Sequence, residues 1–410
     1  MLYYIFTYLD REFDVPGAGV FQFISFRALM SIIIALFITM WLGKYIIAWL
    51  KQWQITDPQR ELDLPEQQRK AQTPTMGGLM IIAGTVVPTL LLAKWDNVYV
   101  WLLVIATLWM GLWGFVDDYI KVKLRDKGGL RGKFKIMAQI GLGLLIGLTL
   151  AFHPDVRVRY FIDEPLQVYQ QNSTQDSNTY RYYDAKEFST TIPFVKNNEF
   201  RYEWIAKAIG LPVSLTWIVF TIVVIFINTA VSNAANLTDG LDGLAAGISA
   251  IVLSTLAVFA YVSGHILLAD YLNIMYIPDI AEVTIFTAAI VGSAIGFLWY
   301  NAYPASVFMG DTGSLMLGSV IGTLAVVLRK ELLLPLLCGV FLIEALSVII
   351  QVAYFKWTKR RYGQGRRIFL MAPIHHHFQK KGWHENKIVV RFWIISLFLA
   401  ALTLITLKLR

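Results

Sequence analysis

The sequence predicts an all-α, polytopic integral membrane protein of about ten transmembrane helices with both termini on the outer side. Three observations predict it. Apolar residues make up 56% of the 410-residue chain and charged residues 16%, against roughly 45–50% and 25% in soluble domains. The apolar residues gather into runs of roughly 20, the length that crosses a hydrocarbon core. Lysine and arginine favour alternate connections. Of 36, one alternating set holds 21; the other, with both tails, holds 13, seven of them in one long loop; Arg27 and Lys44 lie inside the first run. The richer set faces the cytoplasm by the positive-inside rule. A soluble multidomain protein and a disordered chain are excluded, as is a disulfide scaffold, because Cys338 is the only cysteine.

Residues 1–410 read as one transmembrane domain. The first span, 21–50, has no basic stretch or small-residue cleavage site before it and reads as a retained helix, not a cleaved signal. The second, 75–93, opens on RKAQTPTMGG, and the third, 98–117, ends on Asp117-Asp118. The fourth, 134–152, follows a lysine-rich connection. Residues 153–211 interrupt the pattern with a polar segment rich in Tyr, Thr and Phe, in which eight acids face seven bases. A small β element or a disordered insertion fits that composition. The fifth span is 211–230. The sixth, 243–263, follows NAANLTDGLDGLAAG, and the seventh, 283–303, leads into NAYPASVF. The eighth, 313–328, begins at GDTGS; the ninth, 332–355, runs into KWTKRRYGQGRRIFL; the tenth, 389–407, follows MAPIHHHFQKKGW.

Acids near membrane spans are costly and mark functional sites by default. Asp117 and Asp118 end a helix, where the macrodipole opposes them. Lys121, Lys123, Arg125, Lys133 and Lys135, or a divalent cation, could compensate, or the pair could be a solvated helix end. Asn233, Asn236, Asp239 and Asp242 recur every third residue, so neighbours in the series would share a face. No lysine or arginine in that loop pairs them, and one of them could simply cap the next helix. Asn301 lies at the end of the seventh span and Asp311 precedes the eighth, where Gly310–Ser314 could cap the helix or hold an anion or metal. His375, His376 and His377 are badly spaced for zinc, since adjacent side chains diverge. They read as donors to phosphate or carboxylate, or as part of an interfacial segment whose arginines and lysines meet lipid headgroups. Lys70, Thr73 and Thr75 could hold an anion at the second span, or simply start a helix beside a positive-inside lysine.

Oxygen ligands select a hard cation, and Mg²⁺ typically bridges few protein ligands to phosphates. Acids ringed by basic residues on one face therefore point to phosphoryl chemistry on a polyanion at the membrane surface. The net charge of +8 suits an anionic partner. It carries no aromatic-basic reader motif, so no nucleic-acid partner is expected.

NLTDGLDGLAAG, VDDYIKV, NAYPASVFMGDTGSL, APIHHHF and TPTMGG together resemble the phospho-N-acetylmuramoyl-pentapeptide transferase family across essentially the whole chain. The resemblance implies a homodimer in the bacterial inner membrane, with periplasmic termini and a cytoplasm-facing cleft. It implies transfer from UDP-N-acetylmuramoyl-pentapeptide to undecaprenyl phosphate, with Mg²⁺ required. By motif, Asp311 would ligate Mg²⁺, Asp117 would be the base toward the lipid phosphate and Asp118 would support the metal or diphosphate. Asn236, Asp239 and Asp242, with Asn233 nearby, would line the nucleotide-sugar pocket. Asn301 belongs to the same group. Phe308, beside Gly310, would stack on uracil. Lys70, Thr75, Lys121 and Lys133 would contact phosphate or uridine, and His375, His376 and His377 would border the site. A single displacement is preferred to an aspartyl intermediate, because it needs only alignment and charge neutralisation.

Two departures stand out. The 153–211 loop is longer than the family's usual connection; it leaves the site motifs intact, so activity is expected to survive its loss. The segment before the histidines is longer and more basic than typical, which leaves no carry-over for Lys356 to Arg367. A transferase for another UDP-amino sugar and an ion-coupled transporter are the alternatives. The histidine motif speaks against the first. Acids at one surface, without an inverted repeat, speak against the second.

Overall fold

The computed structural model describes residues 1–53, 73–124, 128–161, 182–193, 199–272 and 274–407. Its helices are α1 (Leu2–Phe13), α2 (Ile24–Gln52), α3 (Gly78–Leu92), α4 (Val98–Lys123) and α5 (Gly132–Phe152). After an insertion come α6 (Tyr202–Ala208), α7 (Thr216–Thr238), α8 (Leu244–Ser263), α9 (Ile266–Tyr271) and α10 (Val283–Asn301). The chain closes with α11 (Gly310–Val327), α12 (Leu334–Leu337), α13 (Gly339–Tyr362), α14 (Ile374–Lys380) and α15 (Glu385–Ile405).

Among the described residues, nine helices are long and apolar enough to cross a membrane, and α3 is a shorter apolar one. These are the ten runs of the sequence, with shifted ends. Helix α3 starts at Gly78 instead of 75, and α13 at Gly339 instead of 332. Residues 75–77, expected to be helical, are not, and the segment from Pro74 to Gly78 instead pairs with the loop before α11. Phe308 N donates to Pro74 O (2.8 Å), Gly77 N to Phe308 O (2.8 Å) and Gly78 N to Met309 O (3.0 Å).

The centre of the bundle is α10 and α11, whose spans are 94% and 89% buried, against 28% for α2 and α13. Small residues make this possible. A Cβ on Gly292 would lie 2.5 Å from the Ile32 carbonyl oxygen, so α10 and α2 touch backbone to backbone. Helix α11 packs on α4 and α7, while α5 packs on α7 and α15 on α8. The outer helices turn Phe37, Leu112, Phe226, Ile349 and Phe398 outward, as lipid-facing surfaces require.

The connections sort to two ends, as the alternating sets require. At one end, Met1 N donates to the carbonyls of Leu90 and Leu91, Asn97 Nδ2 donates to Asp279 O (2.7 Å), and Leu407 packs near Val262 and Ala269. Arg27, buried here, is held bidentately by Glu282 at 2.6 and 2.8 Å. Helix α1, absent from the sequence reading, has no buried residue.

The insertion occupies the same end, and its described residues include four short strands and the helix α6. Strands β1 (Val158–Phe161) and β2 (Tyr182–Ala185) pair antiparallel, as do β3 (Ser189–Thr191) and β4 (Glu199–Arg201). Asp184 holds Arg159 at 2.7 and 3.0 Å, and Arg159 N bonds Tyr276 O. Strand β3 covers Arg329 and Lys330: Thr191 N and Thr190 Oγ1 donate to Arg329 O, and Lys330 Nζ donates to Thr191 Oγ1 (2.9 Å). Tyr202 donates to buried Glu331 (2.6 Å). The insertion is thus bonded to the bundle at two connections.

Candidate active site

The opposite end gathers the motif-bearing segments. Helix α4 delivers Asp117, Asp118 and Lys121, the first turn of α5 delivers Lys135, the last turn of α7 delivers Asn236, and the first turn of α11 delivers Asp311. The backbones of α4 and α11 touch, since a Cβ on Gly114 would overlap the Asp311 carbonyl. Ligand oxygens of Asp117, Asp118 and Asp311 lie within 4.8 Å of one another.

Each carboxylate has its own partners. Asp117 meets Lys121 Nζ at 2.6 Å and Lys135 Nζ at 3.0 Å, and accepts from Leu130 N at 2.7 Å. Asp311 accepts from Lys135 Nζ (2.5 Å) and Asn236 Nδ2 (2.8 Å), with Lys121 Nζ at 3.2 Å. Asp118 receives the amide of Asp311 on one oxygen (3.0 Å), and the amide (2.9 Å) and hydroxyl (2.6 Å) of Thr312 on the other. The dipole that opposes two acids at the end of α4 is therefore answered by two lysines and by the N-terminus of α11. Gly310 makes the junction possible. Its φ is +70°, and a Cβ there would sit 2.5 Å from Asp118 Oδ2 and 2.8 Å from Thr75 Oγ1.

The third-residue series is split. Helix α7 ends at Thr238, before Gly240 and Gly243 (φ +78°), so the four polar residues share no single face. Asn236 bonds Asp311 and Ser314, and Asn233 turns to Gln139 (3.0 Å). Asp239 caps the helix. Asp242 is buried, accepting from Ala305 N (3.1 Å) while its own amide donates to Glu385 (2.6 Å). Asn301 bridges Gly243 N and Val307 O, which ties this turn to the loop carrying Phe308. Phe308 is half-buried and Thr75 buried.

Lys133 is exposed, two residues from the Lys135 that reaches the carboxylates. Lys70 lies outside the described residues. His375 is buried against Glu344. Nδ1 of His376 faces Gln379 Oε1 at 2.7 Å. Nδ1 of His377 accepts from Leu370 N, and burial followed by the Lys381 charge holds this imidazole below its ordinary pKa. Thr312 enters the sequence reading only within the Gly310–Ser314 run, and Glu344 does not enter it at all. An isolated acid inside the apolar run VFLIEALSV was the available sign of Glu344.

A family model described as Glycosyl transferase family 4 matches residues 100–329, and phospho-N-acetylmuramoyl-pentapeptide-transferase signature 1 matches residues 70–82. A phospho-N-acetylmuramoyl-pentapeptide-transferase of Flavobacterium psychrophilum is 55% identical over 412 residues, covering all of both chains. That of Amoebophilus asiaticus is 58% identical over 410 residues, again covering all of both. The chain belongs to the phospho-N-acetylmuramoyl-pentapeptide-transferase family.

The larger match spans every residue of the carboxylate–lysine cluster, and the signature covers the segment from Pro74 to Gly78 that pairs with the loop carrying Phe308. The histidine helix lies beyond both.

Proposed function

We propose that this protein transfers phospho-N-acetylmuramoyl-pentapeptide from its UDP derivative to undecaprenyl phosphate. The products are undecaprenyl-diphospho-muramoyl-pentapeptide and UMP. The observation that carries this reading is the meeting of Asp117, Asp118 and Asp311 under Lys121 and Lys135 in a chain of this family. An oxygen of the lipid phosphate bonds to the β-phosphorus of the nucleotide sugar. The bond from that phosphorus to the oxygen bridging toward the α-phosphate breaks, and UMP leaves with that oxygen and its electron pair. Such a reaction asks the protein mainly for alignment and charge neutralisation.

The donor set fits Mg²⁺: carboxylate oxygens in a small cluster, with three acids against two ammonium groups. Asp117 and Asp311 are the residues to hold it. Both oxygens of Asp118 already accept from the start of α11, so its part is to hold Asp311 in place. Mg²⁺ bound there would neutralise charge on the diphosphate. Lys121 and Lys135, which sit on carboxylates in this structure, turn to phosphate oxygens when substrate enters. Asp117 would take a proton from the lipid phosphate. Asn236 and Asp239 border the nucleotide sugar, with Asn233 behind them, while Asp242 and Asn301 brace the turn. Phe308 offers its ring to uracil. Thr75, Lys70 and Lys133 serve phosphate or uridine, and the three histidines border the site. The displacement is direct, without a covalent enzyme intermediate.

The acid-bearing end faces the cytoplasm of the bacterial inner membrane and both termini face the periplasm. The basic excess of its connections supports this. A homodimer surrounded by membrane lipid is the working form, on the strength of the family resemblance. Incubation with both substrates and Mg²⁺ should release UMP, one per lipid product. No UMP, or an isolable phospho-enzyme, would overturn the respective claims.

A further inference from the structure

Glu344 sits within α13 with its side chain fully buried. A carboxylate inside a span is costly and persists where it is paired. Its partner is His375, in the first turn of α14 and also fully buried, with Nδ1 3.0 Å from Glu344 Oε2. A carboxylate against Nδ1 selects the tautomer with the proton on that nitrogen and fixes the plane of the ring. The other nitrogen, Nε2, is buried and has no hydrogen-bond partner. It faces the turn after α7, where a Cβ on Gly240 would overlap it. Gly240 follows Asp239 and precedes Asp242, and the His375 ring lies 4.2 Å from that of His376. One buried ring of the histidine helix thus touches both Glu344 of α13 and the turn assigned above to the nucleotide sugar.

We propose that Glu344 is a positioning residue for nucleotide-sugar binding. It locks the His375 ring so that its Nε2 edge packs beneath Gly240, and this keeps α14 and the Asp239–Asp242 turn in a single relative geometry. The absence of a side chain at residue 240 lets the ring approach. If Glu344 is lost, the ring is free to rotate and the turn loses its support. The inference rests on the activity proposed above and assigns Glu344 no contact with substrate.

The test is steady-state kinetics of UMP release on the full-length protein, varying each substrate in turn, alongside thermal melting. Glu344→Leu removes the acceptor and should raise KM for the nucleotide sugar about tenfold, leaving KM for undecaprenyl phosphate unchanged. Glu344→Gln keeps an acceptor for Nδ1–H and should restore KM to within about threefold of wild type. Gly240 is exposed and has no left-handed backbone, so Gly240→Ala should fold. It should raise the same KM by pushing on the ring. In the double variant the ring can yield, so the two effects should be less than additive. An unchanged nucleotide-sugar KM in Gly240→Ala would overturn the proposal. So would additivity, or a loss in Glu344→Leu that merely follows the folded fraction and strikes both substrates alike. If Glu344→Leu does not fold, Glu344→Gln and Gly240→Ala decide the matter. Absence of UMP release by wild type sinks the proposed activity and this inference with it; a normal wild type with unresponsive variants sinks this inference alone.

Discussion

Asp118 and Thr312 are joined twice: one carboxylate oxygen accepts from the Thr312 amide over 2.9 Å and from its hydroxyl over 2.6 Å. The contact welds the C-terminal end of α4 to the N-terminal end of α11. Thr312→Val keeps the shape and removes one donor. It should cost about 1 kcal/mol of stability and lower kcat about tenfold by loosening Asp311. Asp118→Asn should cost more, because its amide nitrogen opposes donors. Melting curves and UMP release check both; wild-type behaviour in both variants would contradict the weld.

Gly310→Ala tests the same junction from the backbone. The left-handed conformation alone costs a non-glycine residue roughly 1–2 kcal/mol, and the methyl would press on Asp118 and Thr75. Lower melting and loss of most turnover are expected, read on purified folded protein. Full activity would mean that the α11 start need not hold this shape.

Lys135→Met removes the ammonium nearest Asp311. Two readouts should then fall together. Half-saturation by Mg²⁺ should fall, since a competing cation is gone from the carboxylates. The value of kcat should fall too, by about 10²-fold, since a cation is lost from the transferring phosphate. A Mg²⁺ requirement that rises instead would contradict the assigned role.

At the other end, burial pushes the Glu331 carboxyl above its ordinary value, and burial, then the Glu331 charge, raises the Tyr202 hydroxyl. The folded protein therefore holds the Glu331 proton more tightly than the unfolded chain does. Its stabilising contribution is complete below the unfolded value of 4.5 and is lost as pH rises through the folded value. Melting temperature should decline over that window, and Glu331→Gln should flatten the decline. Tyr202→Phe, which strips Glu331 of its donor, should cost about 1–3 kcal/mol. A pH profile unchanged by Glu331→Gln would refute this.

The ten apolar runs were legible because span length is dictated by the bilayer. The Tyr, Thr and Phe of the insertion allowed a β element but did not separate it from a disordered one; among its described residues four short strands form. The meeting of Asp117 with Asp311 was inferable only as two acids on one face, because their contact depends on backbone touching at Gly114. Lys133 and Lys135 could not be told apart by charge, since residues two apart on a helix face different ways; rotation of α5 decides between them. The three-residue spacing of Asn233 to Asp242 suggested one face, but the helix stops at Thr238 and sends Asp242 to Ala305. Glu344 escaped notice because its partner His375 is distant in sequence.

The most direct test of the central claim is a Mg²⁺ titration of UMP release from both substrates, run on wild type and Asp311→Asn side by side. The account predicts saturable Mg²⁺ dependence abolished by chelation in wild type, and turnover lower by about 10²–10³-fold in Asp311→Asn at every Mg²⁺ concentration. Undiminished turnover by Asp311→Asn, or by the wild type after chelation, would contradict it.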